Sequence, residues 1–246
     1  MQHYTKTTGE KLAYIQHKRN TPHVVFIHGF KSDMGGTKCV AVDAWCEEQG
    51  ISYTRFDCRG HGQSDGEFLD GCISDWLDDT LDILDHVVAE PCILIGSSMG
   101  GWLALLAALK RPKQIQALIG IAPAPDFTEN LIWAQASKEQ QEQLMQQGYY
   151  DVPNCYDDGE PYRITKKLIE DGRNHLIMGN PININIPVRL LHGMADEDVP
   201  WQLSAKIAEQ VTSDDVEIHT IKNAGHRMSE PGELELLKRT LSELTR

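Results

Sequence analysis

The amino-acid sequence predicts an α/β fold: a mostly parallel central sheet flanked by helices, with a small helical cap. Two observations carry this expectation. Short apolar, β-branched runs alternate with longer helical patterns along most of the 246 residues, as parallel strands joined by helical crossovers require. Residues 126–180 break the alternation just after the strand candidate at 115–121, where an insertion can fold over the end of the sheet. In chain order, residues 12–17 read as an early edge hairpin, and strands follow near Val24, Tyr53, Ile93, Ala117, Val188 and Val216. Helices fall near Val40, Leu81, Leu103, Leu203 and Leu236. Within 75–86, Trp76, Leu77, Ile83 and Leu84 form an apolar stripe on a charged segment, the pattern of a solvated outer helix. No repeat, low-complexity tract or linker divides the chain, so residues 1–246 are expected to form one domain with 126–180 as a cap insertion.

The chemistry centres on Gly96-Ser97-Ser98-Met99-Gly100, between the apolar run at 92–95 and the helical run at 101–110. A serine hydroxyl is a weak nucleophile until a sharp strand-to-helix turn projects it and a base takes its proton. Glycines flank Ser98 because a Cβ at either position would crowd such a turn.

An acid and a base follow in the order nucleophile, acid, base that α/β-hydrolases use. Asp196 lies three residues after Gly193, which closes the strand candidate at 188–191, and can turn back toward a histidine. Asp198 is the alternative acid, and either aspartate could instead cap the helix that opens near Pro200 and Trp201. His226, in Asn223-Ala224-Gly225-His226, lies on a loop between the last strand candidate and the last helix, as a general base for Ser98 would. Only His219 competes with it by order.

A developing oxyanion needs donors already in place. The buried strand candidate at 24–27 runs into His28-Gly29-Phe30, so the Phe30 backbone N–H is one candidate and the Met99 N–H, just after the nucleophile, is the other. The loop Arg59-Gly60-His61-Gly62-Gln63-Ser64 reads as structural, and resembles a loop of many α/β-hydrolases. These features in order predict an α/β-hydrolase fold.

The resemblance extends further. Gly96-Ser97-Ser98-Met99-Gly100-Gly101-Trp102, Asn180-Pro181-Ile182, Leu191-His192-Gly193-Met194, Val199-Pro200-Trp201 and His226-Arg227-Met228 are similar to stretches of the abhydrolase-domain-10 group, from about His23 to the C-terminus. That resemblance implies a triad of Ser98, Asp196 and His226 and the activities of the group's mitochondrial members, acyl-glucuronide esterase and palmitoyl-protein thioesterase. This chain departs from the group in showing no transit-peptide pattern and in matching less well through its middle region.

Composition narrows the class. A formal net charge of −13 argues against nucleic acid or an anionic membrane as the main partner. Residues 1–10 are polar and no segment approaches the roughly 18 apolar residues of a membrane span, so the expectation is a cytoplasmic enzyme without signal peptide or anchor. Six cysteines without CxxC spacing read as reduced thiols, not as disulfides or a metal site.

The expected function is serine hydrolysis of a carboxylic ester or thioester through an acyl-enzyme, with no metal or organic cofactor. The substrate is a small molecule or an acylated protein. Trp133, Tyr149 and Tyr150, with Leu131, Ile132, Leu144 and Met145, are candidates to line an acyl or aromatic pocket, or simply to glue the cap to the core. A carbon–carbon bond hydrolase of the same fold, and a non-catalytic ligand-binding protein on a hydrolase scaffold, remain as alternatives.

Overall fold

Val24-Val25-Phe26-Ile27 and Cys92-Ile93-Leu94-Ile95 are apolar on both faces, and only a strand with helices on both sides can bury such a run. The computed structural model, which describes residues 1–152 and 161–245, shows that arrangement. Its elements are β1 (Gln2–Thr5), β2 (Lys11–His17), β3 (Asn20–Ile27), α1 (Thr37–Gln49), β4 (Ile51–Phe56), α2 (Ile73–Asp82), β5 (Cys92–Ser97), α3 (Met99–Lys110) and β6 (Ile115–Ile121). There follow α4 (Lys138–Gln147), β7 (Tyr149–Val152), β8 (Tyr162–Thr165), α5 (Lys166–Gly172), β9 (Val188–Gly193), α6 (Gln202–Gln210), β10 (Val216–Ile221) and α7 (Pro231–Leu244).

The eight-stranded sheet runs β1-β2-β4-β3-β5-β6-β9-β10. Only β2 is antiparallel to its neighbours, which makes the expected edge hairpin with β1. One face packs on α1 and α7 through Val42, Cys46, Leu237 and Leu241. The other packs on α2, α3 and α6 through Trp76, Trp102, Leu103 and Ile207. The chain passes from β3 outward to β4 and then returns to β5 on the other side of β3. Such a reversal opens a crevice beyond the carboxyl ends of β3 and β5, where α/β sheets bind ligands.

Two expectations about local structure are corrected. The segment at 75–86 buries its apolar stripe and keeps Asp78, Asp85 and His86 exposed, but its solvated face is narrower than expected. Asp79 and Thr80 are buried as well: the Lys6 ammonium, 2.6 Å from Asp79 Oδ1, and the Arg59 guanidinium, 2.7 Å from the same oxygen, neutralise that carboxylate inside the fold, and the Thr80 hydroxyl donates to Trp76 O at 2.8 Å. The insertion between β6 and β9 is not purely helical either, since Tyr149–Val152 and Tyr162–Thr165 pair as an antiparallel hairpin. Tyr-Tyr-Asp-Val and Tyr-Arg-Ile-Thr are β-prone stretches, and their apolar side buries Tyr150 and Ile164 against Leu144 and Ile169. Residues 153–160, with Cys155, lie outside the described residues. The other five cysteines are buried free thiols.

The insertion is fastened at its ends. Asp126, at φ 59° and 3% exposed, accepts the backbone N–H groups of Ile177 and Met178, both at 2.9 Å. On α2, Ser74 donates to Asp171 Oδ1 at 2.6 Å, tying α5 to the main body. No helix among the described residues is long and apolar enough to cross a membrane.

Candidate active site

β5 and α3 meet at a turn with almost no room. Ser98 takes φ 55° and ψ −117°, a backbone conformation that costs a residue with a Cβ about 1–3 kcal/mol. Its neighbours explain how the turn holds. A Cβ on Gly96 would lie 2.2 Å from the Gly100 carbonyl oxygen, and one on Gly100 would lie 2.2 Å from that of Ile27. Ser98 is further pinned by its N–H to Ile121 O at 2.9 Å and by its carbonyl, which accepts from Gly101 N and Ala124 N.

Asp196 and His226 converge on that serine from the β9–α6 loop and the loop after β10. His226 Nδ1 lies 2.7 Å from Asp196 Oδ2, and His226 Nε2 lies 3.0 Å from Ser98 Oγ. An ionised carboxylate only accepts, so Nδ1 carries the proton and Nε2 presents its lone pair to the serine hydroxyl. Burial works to raise the Asp196 pKa. Hydrogen bonds from His192, His226 and the Val199 amide, with the nearby His226 charge, outweigh it and hold the carboxyl well below the usual range. The Asp198 amide donates to Asp196 Oδ1 at 2.9 Å, and the Asp198 side chain lines the cleft. His219, the competing histidine, sits on β10 with Nε2 3.4 Å from Glu217 Oε2 and lines neither cleft at Ser98.

Phe30 and Met99 both border Ser98. Gly29 packs so closely that a Cβ on it would lie 3.3 Å from Ser97 O and 3.4 Å from Ser98 Cβ. The Gly29 carbonyl accepts from His28 Nδ1 at 2.8 Å and from Ser32 N at 3.2 Å. In a planar trans peptide the C=O and the following N–H point opposite ways, so these contacts also fix the direction of the Phe30 N–H. His28 is held in turn by Cys58 N, which donates to Nε2 at 3.1 Å. Its neutral form is further favoured by burial, which lowers its pKa.

Two clefts, each about 490 Å³, meet at Phe30, Ser98, Tyr162 and His226. The first is largely apolar, walled by Phe127, Leu131, Ile132, Tyr150, Val152 and Ile164. The second is polar, with Lys31, Ser32, Thr37, Lys38, Arg227 and Ser229. Of the expected pocket residues, the structure brings Leu131, Ile132 and Tyr150 to the apolar cleft and leaves out Trp133, Tyr149, Leu144 and Met145. Trp133 and Tyr149 instead lie under guanidinium groups, of Arg173 at 5.0 Å and Arg163 at 3.9 Å from the ring centres. Both contacts hold the insertion's own elements together.

Among the described residues one cluster has ligand atoms close enough for a metal, Asp196, Asp198 and His226, all within 4.8 Å. Asp196 already accepts from Asp198 N, Val199 N, His226 and His192. Its lone pairs are committed to these donors, which leaves little capacity for a cation. The sequence offers one signal for His192, its place near the end of β9, four residues before Asp196.

A family described as Serine aminopeptidase, S33, matches residues 18–147, just over half of the chain. The mouse palmitoyl-protein thioesterase ABHD10, mitochondrial, is 41% identical over 233 residues, covering 95% of this chain and 78% of the relative. The solved structure of alpha/beta hydrolase domain-containing protein 10 from mouse superposes with a TM-score of 0.92 at 39% identity, covering 99% of this chain and 97% of that one. A putative hydrolase from Agrobacterium vitis S4 gives a TM-score of 0.93 at 36% identity with the same coverage. These relatives correct the cytoplasmic expectation, since the mouse, bovine and rat proteins are named as mitochondrial. An organelle address is a separate targeting signal, so the composition of the folded domain does not encode it. The chain belongs to the α/β-hydrolase family, within the group that contains the ABHD10 proteins.

Proposed function

We propose that this hydrolase cleaves a carboxylic ester or thioester through an acyl-enzyme on Ser98, with His226 as general base and acid and Asp196 as the carboxylate that orients and stabilises it. The observation that carries the reading is the unbroken chain Ser98 Oγ to His226 Nε2 at 3.0 Å and His226 Nδ1 to Asp196 Oδ2 at 2.7 Å. His226 takes the Ser98 proton as Oγ attacks the acyl carbon, and the Phe30 and Met99 N–H groups stabilise the oxyanion. Collapse breaks the bond to the leaving alcohol or thiol, which receives the proton from His226. Water then repeats the sequence on the acyl-enzyme and releases the acid and free Ser98.

The two clefts suit the two halves of such a substrate. The apolar cleft takes the acyl chain and the polar cleft takes the leaving group, with the insertion at 126–180 acting as the cap over the acyl side. Identity to palmitoyl-protein thioesterases supports an acyl-protein thioester as the substrate class. Ser98→Ala should lower kcat/KM for p-nitrophenyl butanoate and for a palmitoyl-cysteine peptide by at least about 10⁴-fold while circular dichroism stays unchanged. A folded variant that retains turnover of both would overturn the proposal.

A further inference from the structure

His192 is the penultimate residue of β9, with its ring fully buried, and the reaction proposed above does not use it. Its Nε2 lies 3.1 Å from the Val199 carbonyl oxygen and 3.2 Å from Asp196 Oδ2. Both of those oxygens only accept, so Nε2 carries a proton. Its Nδ1 lies 2.7 Å from the Oγ of Ser204, a buried residue on α6. In the neutral ring Nδ1 is a lone pair, and the Ser204 hydroxyl donates to it. Ser204 therefore fixes the tautomer that sends an N–H to Asp196.

Asp196 Oδ2 thus accepts from two imidazoles, His226 at 2.7 Å and His192 at 3.2 Å, while Oδ1 accepts the amides of Asp198 and Val199. The second imidazole is an additional donor beyond the two amides that already orient the carboxylate.

We infer that His192 is a positioning residue that sets the basicity of His226 through Asp196, with Ser204 holding His192 in the required tautomer; this rests on the triad reading above. By taking part of the negative charge of Oδ2, the His192 N–H limits how strongly Asp196 stabilises protonated His226, and so keeps His226 available as a base at lower pH. Other charged groups border the same space. Asp198 and Glu197 face the apolar cleft, and Lys31, Asp33, Lys38 and Arg227 the polar one. None of them is altered by the changes below.

The test is the pH dependence of kcat/KM for p-nitrophenyl butanoate in the wild type, His192→Phe, His192→Gln and Ser204→Ala. Phenylalanine removes the N–H, glutamine returns a donor near the Nε2 position, and Ser204→Ala releases the tautomer. The inference predicts that the acid limb moves to higher pH by roughly half a unit or more in His192→Phe, by less in Ser204→Ala, and returns toward wild type in His192→Gln. Any other pattern overturns it, including loss of kcat with the acid limb in place, which is what a purely structural histidine would give. If His192→Phe does not fold, the limb of Ser204→Ala decides by the same criterion. Asp196→Asn separates the two levels. If that variant keeps the wild-type rate and profile, the triad reading fails; if it is inactive while the His192 and Ser204 variants keep the wild-type limb, only the role of His192 fails.

Discussion

The backbone strain at Ser98, the proposed nucleophile, can be measured apart from chemistry by comparing Ser98→Gly with Ser98→Ala. Both variants lack the hydroxyl, so any difference between them comes from the Cβ. At φ 55° and ψ −117°, alanine keeps the steric conflict of the native serine, worth about 1–3 kcal/mol, and glycine relieves it. Glycine also loosens the unfolded chain, which takes back about 0.4–1 kcal/mol. The net expectation is that Ser98→Gly is more stable than Ser98→Ala by about 1 kcal/mol, or about 2–4 °C in Tm for a chain of this size. Differential scanning calorimetry of the two variants in one buffer reads this directly. A Ser98→Gly melting point at or below that of Ser98→Ala would show that the turn is not strained.

Two further expectations concern acid stability and the acyl cleft. His61 is buried and its pKa is pushed down to about 3, first by desolvation and then by the neighbouring His28. In the unfolded chain it titrates near about 6.5, so between these values the unfolded state binds the proton and the folded state does not. Stability therefore falls as pH drops through that window. His61→Leu should flatten the fall by up to about 1.4 kcal/mol per pH unit in urea titrations, and an unchanged slope would contradict the assignment. Leu131→Trp, on the wall of the apolar cleft, should lower kcat/KM for a palmitoyl ester by about tenfold or more and leave the butanoyl ester near wild type. Equal losses on both esters would place the acyl chain elsewhere.

Much of this architecture was legible from residue order. Buried strands announced themselves because Val24-Val25-Phe26-Ile27 and the run at 92–95 leave no polar face, and each ends at a turn that carries a named residue of the candidate site. Local chemistry also singled out Ser98, Asp196 and His226, because an elbow, a strand-end carboxylate and a late-loop histidine each have a recognisable neighbourhood. What local reading could not reach was set by partners distant in sequence. Asp79 looks solvated until Lys6 and Arg59 arrive from other elements. Trp133 and Tyr149 look like pocket aromatics until Arg173 and Arg163 cover them. The hairpin of β7 and β8 depends on two four-residue strands too short to signal alone. His192 becomes informative only once Ser204 and Asp196 are seen on its two nitrogens.

The central claim is that Ser98 carries the acyl group. The direct measurement is intact-protein and peptide mass spectrometry of enzyme quenched during turnover of a palmitoyl thioester, in parallel with fluorophosphonate labelling. A palmitoyl adduct and a phosphonyl adduct, both on the peptide containing Ser98 and both absent from Ser98→Ala, are the expected result. An active wild type whose adduct maps to another residue, or that never reacts with the fluorophosphonate, would contradict it.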